Sequence, residues 1–160
     1  MPKIIRDGQL VENEWQLVDE VGLFPDGKIL ISMSSWNEQQ VQIAKRGGEI
    51  GIWMASDETP EEIENLSKIQ IIAIRFDNFM DGRGFSIARQ LRERYGFKGE
   101  IRAVGAPIRD QLTYMVRCGF NAFELAEHYD PTEALASLKD FSDNYQTSVE
   151  QKTPLFRRRS

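Results

Sequence analysis

The sequence predicts an α/β fold of about five βα units around a mainly parallel sheet. Three observations predict it. Short apolar runs recur five times, at 29–33, 50–55, 71–76, 101–104 and 122–125. Segments with helical spacing and helix punctuation separate them. The links are short, and strand–helix alternation with short links implies parallel strands joined by right-handed crossovers. Each run is short and apolar, as a largely buried parallel strand should be.

Residues 1–28 read differently, as an N-terminal arm or hairpin. Ile4-Ile5 and Trp15-Gln16-Leu17-Val18 are strand-like runs on either side of Asp7-Gly8, a turn pair. Phe24-Pro25-Asp26-Gly27 is a second turn. The α/β domain follows over 29–146. Ser35-Trp36-Asn37-Glu38, Thr59-Pro60-Glu61-Glu62 and Asp130-Pro131-Thr132-Glu133 each offer a capping residue with glutamate three positions on. Gly47, Gly96 and Gly119 stand where helices should end, because glycine accepts the left-handed cap. Ile108, Leu112, Met115 and Val116 make one helical face, and Ala134, Leu135, Leu138 and Phe141 another. Residues 147–160 have no periodicity and read as a flexible, disordered tail.

Five such units fit an open doubly wound sheet or part of a (β/α) barrel. The open sheet is the simpler expectation, since five units cannot close an eight-stranded barrel. Arg75, Arg102 and Glu124 argue the other way. They fall within strand-like runs, and barrel strands carry polar groups inward where a doubly covered sheet does not.

Composition narrows the function classes. The 160 residues are 41% hydrophobic and 28% charged, within the globular range. No apolar run approaches the ~18 residues of a membrane span, and none at the N-terminus resembles a signal peptide, so a cytoplasmic protein without membrane contact is expected. One cysteine excludes an internal disulfide framework, and one histidine excludes a multi-histidine metal site. The net charge of −5 is uneven. Residues 1–70 carry 6 Lys+Arg against 13 Asp+Glu, and residues 71–120 carry 9 against 5. An acidic chain argues against nonspecific nucleic-acid binding. No dinucleotide fingerprint or cysteine cluster is present, so no cofactor or metal is evident.

Ligands of parallel α/β folds bind beyond the carboxyl ends of the strands. The segment from Arg75 to Ser86 is the richest there. Arg75, Asp77, Asp81, Gly82, Arg83 and Gly84 combine a planar oxyanion fork, two carboxylates and two glycines ahead of a helix start. Arg109 and Asp110 follow the next strand and are expected to face that loop. These eight residues are the candidates for binding an anion or small ligand; a tight loop fixed by an Asp81–Arg83 pair is the plainer alternative. Their spacing assigns no catalytic role, so the residues leave enzymatic turnover open. Arg89, Arg92 and Arg94 read as helix-surface arginines with acidic neighbours. Cys118, near a helix end, reads as a small buried hydrophobe, and the three tryptophans as packing residues. Pro154, Leu155, Phe156 and Arg157 in the tail read as a peptide that docks on a partner.

Several stretches together resemble a known family. Phe76-Asp77-Asn78-Phe79, Asp81-Gly82-Arg83-Gly84-Phe85-Ser86, Gly99-Glu100-Ile101-Arg102-Ala103-Val104-Gly105 and Arg117-Cys118-Gly119-Phe120-Asn121-Ala122-Phe123-Glu124 are similar to the hallmarks of the bacterial domain-of-unknown-function family nine-three-four. Two positions depart from its pattern, Ala106 and Asn121, where acidic residues are expected. Members are often labelled as oxidoreductases of sulfite reduction, and their genes commonly lie beside those of assimilatory sulfite reductase. The resemblance thus implies an accessory of sulfite reduction without its own cofactor, partnered with a sulfite reductase component. The alternative is a small enzyme acting on an oxyanion-bearing metabolite at the Arg83 loop. A half-barrel leaves a strand edge to cover, so a homodimer is a further expectation.

Overall fold

The computed structural model describes residues 3–19, 24–76, 82–105 and 112–124, with position 136. Eight strands form one sheet: β1 (Lys3–Arg6), β2 (Gln9–Glu12), β3 (Trp15–Val18), β4 (Lys28–Ser32), β5 (Ile50–Ala55), β6 (Ile71–Phe76), β7 (Glu100–Gly105) and β8 (Ala122–Glu124). Four helices are described, α1 (Met33–Glu38), α2 (Gln40–Arg46), α3 (Arg83–Glu93) and α4 (Leu112–Cys118).

The strand order is β2-β1-β8-β7-β6-β5-β4-β3. From β3 to β8 each strand pairs in parallel with its successor in sequence, and the hairpin β1–β2 adds antiparallel to β8. A doubly wound sheet reverses its strand order at a switch point. This order never reverses, so the sheet is wound in one direction, as in a barrel.

Covalent geometry forces the sheet to roll. β2 and β3 are its two edges, yet only Asn13 and Glu14 separate them in sequence. Three peptide units place the Cα atoms of Glu12 and Trp15 at most about 11 Å apart. In a flat sheet, eight strands would hold the edges about 33 Å apart. The sheet therefore curls until its edges meet at that link.

The curl gives the two faces different jobs. The outer face carries Ile29, Ile31, Ile52, Ile72, Ile74 and Ile101, which join Trp36, Leu91, Leu112 and Met115 of the helices in the main core. The concave face carries a smaller cluster, Leu30, Ile71, Ala73 and Val104, with Trp15, Leu17 and Trp53 against it. By strand alternation Arg75, Arg102 and Glu124 also face inward. The mid-strand charges thus report the barrel-like winding rather than the open sheet.

Several local expectations are corrected. Trp15–Val18 is not a hairpin arm of Ile4-Ile5. The turn at Asp7 and Gly8, both with positive φ, joins β1 to β2, while Trp15–Val18 joins the opposite edge. α1 begins at Met33, capped by Ser32, whose hydroxyl accepts from the Ser35 N–H at 3.1 Å. The Thr59-Pro60-Glu61-Glu62 box makes only a single 3-10 turn, Pro60–Glu62. Thr59 makes no side-chain cap, and Asn65 turns left-handed at φ 54°. Side chains of α1 take up this segment's backbone instead. Trp36 donates to the Glu64 carbonyl, and Asn37 donates to the Glu62 carbonyl and accepts from the Glu64 N–H. The β5–β6 crossover is therefore non-α-helical. Gly47 and Gly119 end α2 and α4 with positive φ, as expected.

Candidate functional site

The carboxyl ends of β3 to β8 form one rim of the rolled sheet. Arg75 stands on it at the end of β6. Its Nη1 lies 2.9 Å from Oδ1 of Asp19, just past β3, and its guanidinium lies over the Trp53 ring at 5.3 Å. The Trp53 indole donates to the Val18 carbonyl at 3.0 Å. β3, β5 and β6 are thus tied together at the rim by one aromatic ring and one ion pair.

The other predicted residues separate into three groups. Gly82 and Arg83 are exposed, and Arg83 opens α3. Gly84 is buried, and a Cβ there would run into the Phe76 ring. Close packing of the α3 start on β6 is enough to require glycine there. Gly82 has ordinary helical φ and open space around it, so its backbone needs no glycine. Asp77, Asp81, Arg109 and Asp110 lie outside the described residues, as do Pro154, Leu155, Phe156 and Arg157. Phe76 pairs with Gly105, so the segments carrying Asp77 and Arg109 leave neighbouring strands at the same end.

Deeper in the curl lies a polar cluster that sequence reasoning reached only in part. Arg102 is 1% exposed. Its Nε donates to Glu100 Oε2 at 2.6 Å and its Nη1 to Asn13 Oδ1 at 3.0 Å. Asn13 also accepts from the Trp15 N–H and donates to Glu124 Oε2. Arg6 reaches Glu100 Oε1 at 4.0 Å. The Arg102 Nη2 is buried and has no hydrogen-bond partner among the described residues. Asn13 sits in the two-residue link that joins the sheet edges, so its bonds to β7 and β8 clasp the curl shut. The mid-strand charges of Arg102 and Glu124 were a usable signal. Nothing in the sequence singles out Asn13, because its role exists only once the sheet rolls.

Arg92 is structural, and Arg89 lies at the surface. Arg92 donates to the carbonyls of Gly119, Phe97 and Gly99 at 2.8–2.9 Å. Arg89 pairs with Glu93 at 3.4 Å and lies 3.7 Å from the buried Cys118 sulfur. At the end of β5, burial pushes the Glu58 carboxyl above the usual carboxylate range, although the Ala55 N–H it accepts at 2.7 Å works against that shift. An open groove of about 470 Å³ lies at the opposite, amino end of β6 and β7, lined by Leu66, Ile69, Tyr95, Phe97 and Lys98, and holds none of the predicted site residues.

Asn121 explains one departure from the family pattern. Its Oδ1 accepts from the Ile101 N–H at 2.8 Å, and its own N–H donates to the Ile101 carbonyl. An aspartate oxygen would accept that bond equally well. Ala106 lies outside the described residues. No curated protein matches the chain. The family of bacterial proteins of unknown function, DUF934, matches over residues 51–156, from β5 through every described element that follows it. The chain belongs to the DUF934 family.

Proposed function

We propose that this protein is an accessory of assimilatory sulfite reduction: it binds a sulfite reductase component and carries no redox cofactor of its own. Family membership and the sulfite-reduction label of the family support this reading. The observation that carries it is the state of Arg75. The one described arginine of the predicted clamp that lies inside the curl is held by Asp19 and stacked on Trp53. It braces the rim as a binding surface. The test is an affinity pull-down from the native host grown on sulfate, with the full chain and with residues 147–160 deleted. A sulfite reductase component should be recovered with the full chain and lost with the deletion. Recovery of no such component from cells that express the reductase contradicts the proposal.

A second reading rests on Arg102, whose Nη2 is a buried donor without a partner among the described residues, diagonal to Arg75 across β6 and β7. Buried donors of this kind call for a water or an anion. On that reading the protein is a small enzyme for an oxyanion-bearing metabolite. A ligand at 100 times its Kd would add about 2.7 kcal/mol to stability. Thermal shifts with sulfite, sulfate and phosphate that vanish in Arg75→Ala as well as in Arg83→Ala would favour it, and flat melting curves would exclude it for these ions.

A further inference from the structure

We propose that the outward face of α3 is the two-fold contact of a homodimer, in which the acidic segment 57–64 of one protomer meets the Arg89–Tyr114–Arg117 seam of its partner.

The segment Asp57-Glu58-Thr59-Pro60-Glu61-Glu62-Ile63-Glu64 holds five carboxylates and no cation. Asp57, Glu61, Glu62 and Glu64 are exposed, and among the described residues none of their side chains enters an ion pair. Their mutual repulsion has a local witness. After burial, the charges of Asp57 and Glu62 also push the Glu58 carboxyl upward. This is the concentrated end of the acidic N-terminal part of the chain.

The seam between α3 and α4 has the opposite character. Tyr114 is 47% exposed, one of two large hydrophobic side chains so exposed among the described residues. Its ring packs edge-on against Phe85 at 5.1 Å, which fixes its orientation at little entropic cost. Arg89 and Arg117 are exposed beside it, and Glu93 is the one acidic residue of the two helices. Arginine and tyrosine around a rigid aromatic anchor is the composition enriched at interface centres.

The arrangement is self-complementary. α3 packs against the 3-10 turn Pro60–Glu62 on one flank and against α4 on the other. The acidic segment and the basic seam therefore flank a single helix. A two-fold axis through the outward residues of α3, Ser86 and Gln90, sets each acidic segment opposite the partner's seam, twice over. That is the isologous geometry of most homodimers.

The test is sedimentation velocity of the full chain over a concentration series at low and at high salt. A reversible dimer that weakens with salt is expected, since exposed charge pairs are screened. Arg89→Glu with Arg117→Glu, and separately Glu61→Arg with Glu62→Arg, should each weaken the dimer about a hundredfold through like-charge contact. The chain carrying all four substitutions should recover it. Circular dichroism of each variant should match the parent, because all four positions are exposed. A monomer at every concentration in low salt overturns the proposal. So does a dimer indifferent to salt and to both pairs, or four substitutions that fail to restore association. Binding of another acidic protein at the seam by a strictly monomeric chain also overturns it.

Discussion

Arg102 carries a charge into the interior of the curl, and its partners decide what its loss would do. Glu100 and Asn13 both depend on it. Removing one member of a buried pair strands the other, at a cost of about 3–5 kcal/mol. Arg102→Ala is thus expected to lower Tm by roughly 6–15 °C in calorimetry. Replacing the pair together, Arg102→Met with Glu100→Leu, should recover most of that loss; a double variant no better than Arg102→Ala would show that the cluster is not what the single variant breaks. Gly84 makes a packing prediction. Gly84→Ala drives a methyl into a Phe76 ring already held by Phe85 and Phe120 at centroid distances of 5.5 and 5.9 Å. Overpacking of that kind costs about 1–3 kcal/mol, and Phe76→Leu in the same chain should return part of it in denaturant titrations. Glu58 sets a pH dependence. Its folded pKa lies above the ordinary carboxylate value, so the folded chain holds the proton more tightly. Its contribution to stability therefore falls as pH rises from the ordinary carboxylate range through the folded value. Glu58→Gln keeps the acceptor for the Ala55 N–H and should raise Tm at neutral pH by about 1–2 °C, with the gain fading below the carboxylate range.

Among the elements, the parallel strands are legible because most of their residues are buried and they read as short, mainly apolar runs. β5 and β6 match their runs residue for residue, and β4, β7 and β8 differ by one or two residues at their ends. The β5–β6 crossover departs from the helix its capping pattern predicts, because such a pattern needs helix-compatible residues after it. Ile63 is extended and Asn65 left-handed, and Asn37 and Trp36 satisfy the backbone that a helix would have satisfied. β3 was placed with the hairpin because sequence proximity suggests pairing, whereas the roll of the sheet sends it to the far edge. Asn121→Asp should leave Tm nearly unchanged, whereas Asn121→Ala should cost about 1–2 kcal/mol by orphaning the Ile101 N–H at the start of β7. Equal losses in both would show that the side-chain oxygen is not the acceptor that matters.

The described sheet is wound in one direction, curled like a half-barrel, with its two edge strands joined by a two-residue link. That winding turns mid-strand charges inward, builds the Arg102 cluster and gathers the carboxyl ends of six parallel strands on one rim. The sequence could point to the carboxyl end of the sheet because loops after parallel strands are where ligands bind. Arg75 and Arg83 lie at that end, but Asp19, Trp53 and Asn13 enter only through the curl, which no local pattern encodes. A glycine in the sequence shows that a side chain is missing, not what fills the space; at Gly84 it is the Phe76 ring. On the proposed function, the chain associates with the sulfite reductase system. The most direct test of that association is sedimentation of the purified chain mixed with purified sulfite reductase of the same host. Co-sedimentation that saturates at a fixed stoichiometry is the predicted result. Independent sedimentation of the two proteins at concentrations well above the micromolar range, with reductase activity unchanged by the chain, would contradict it.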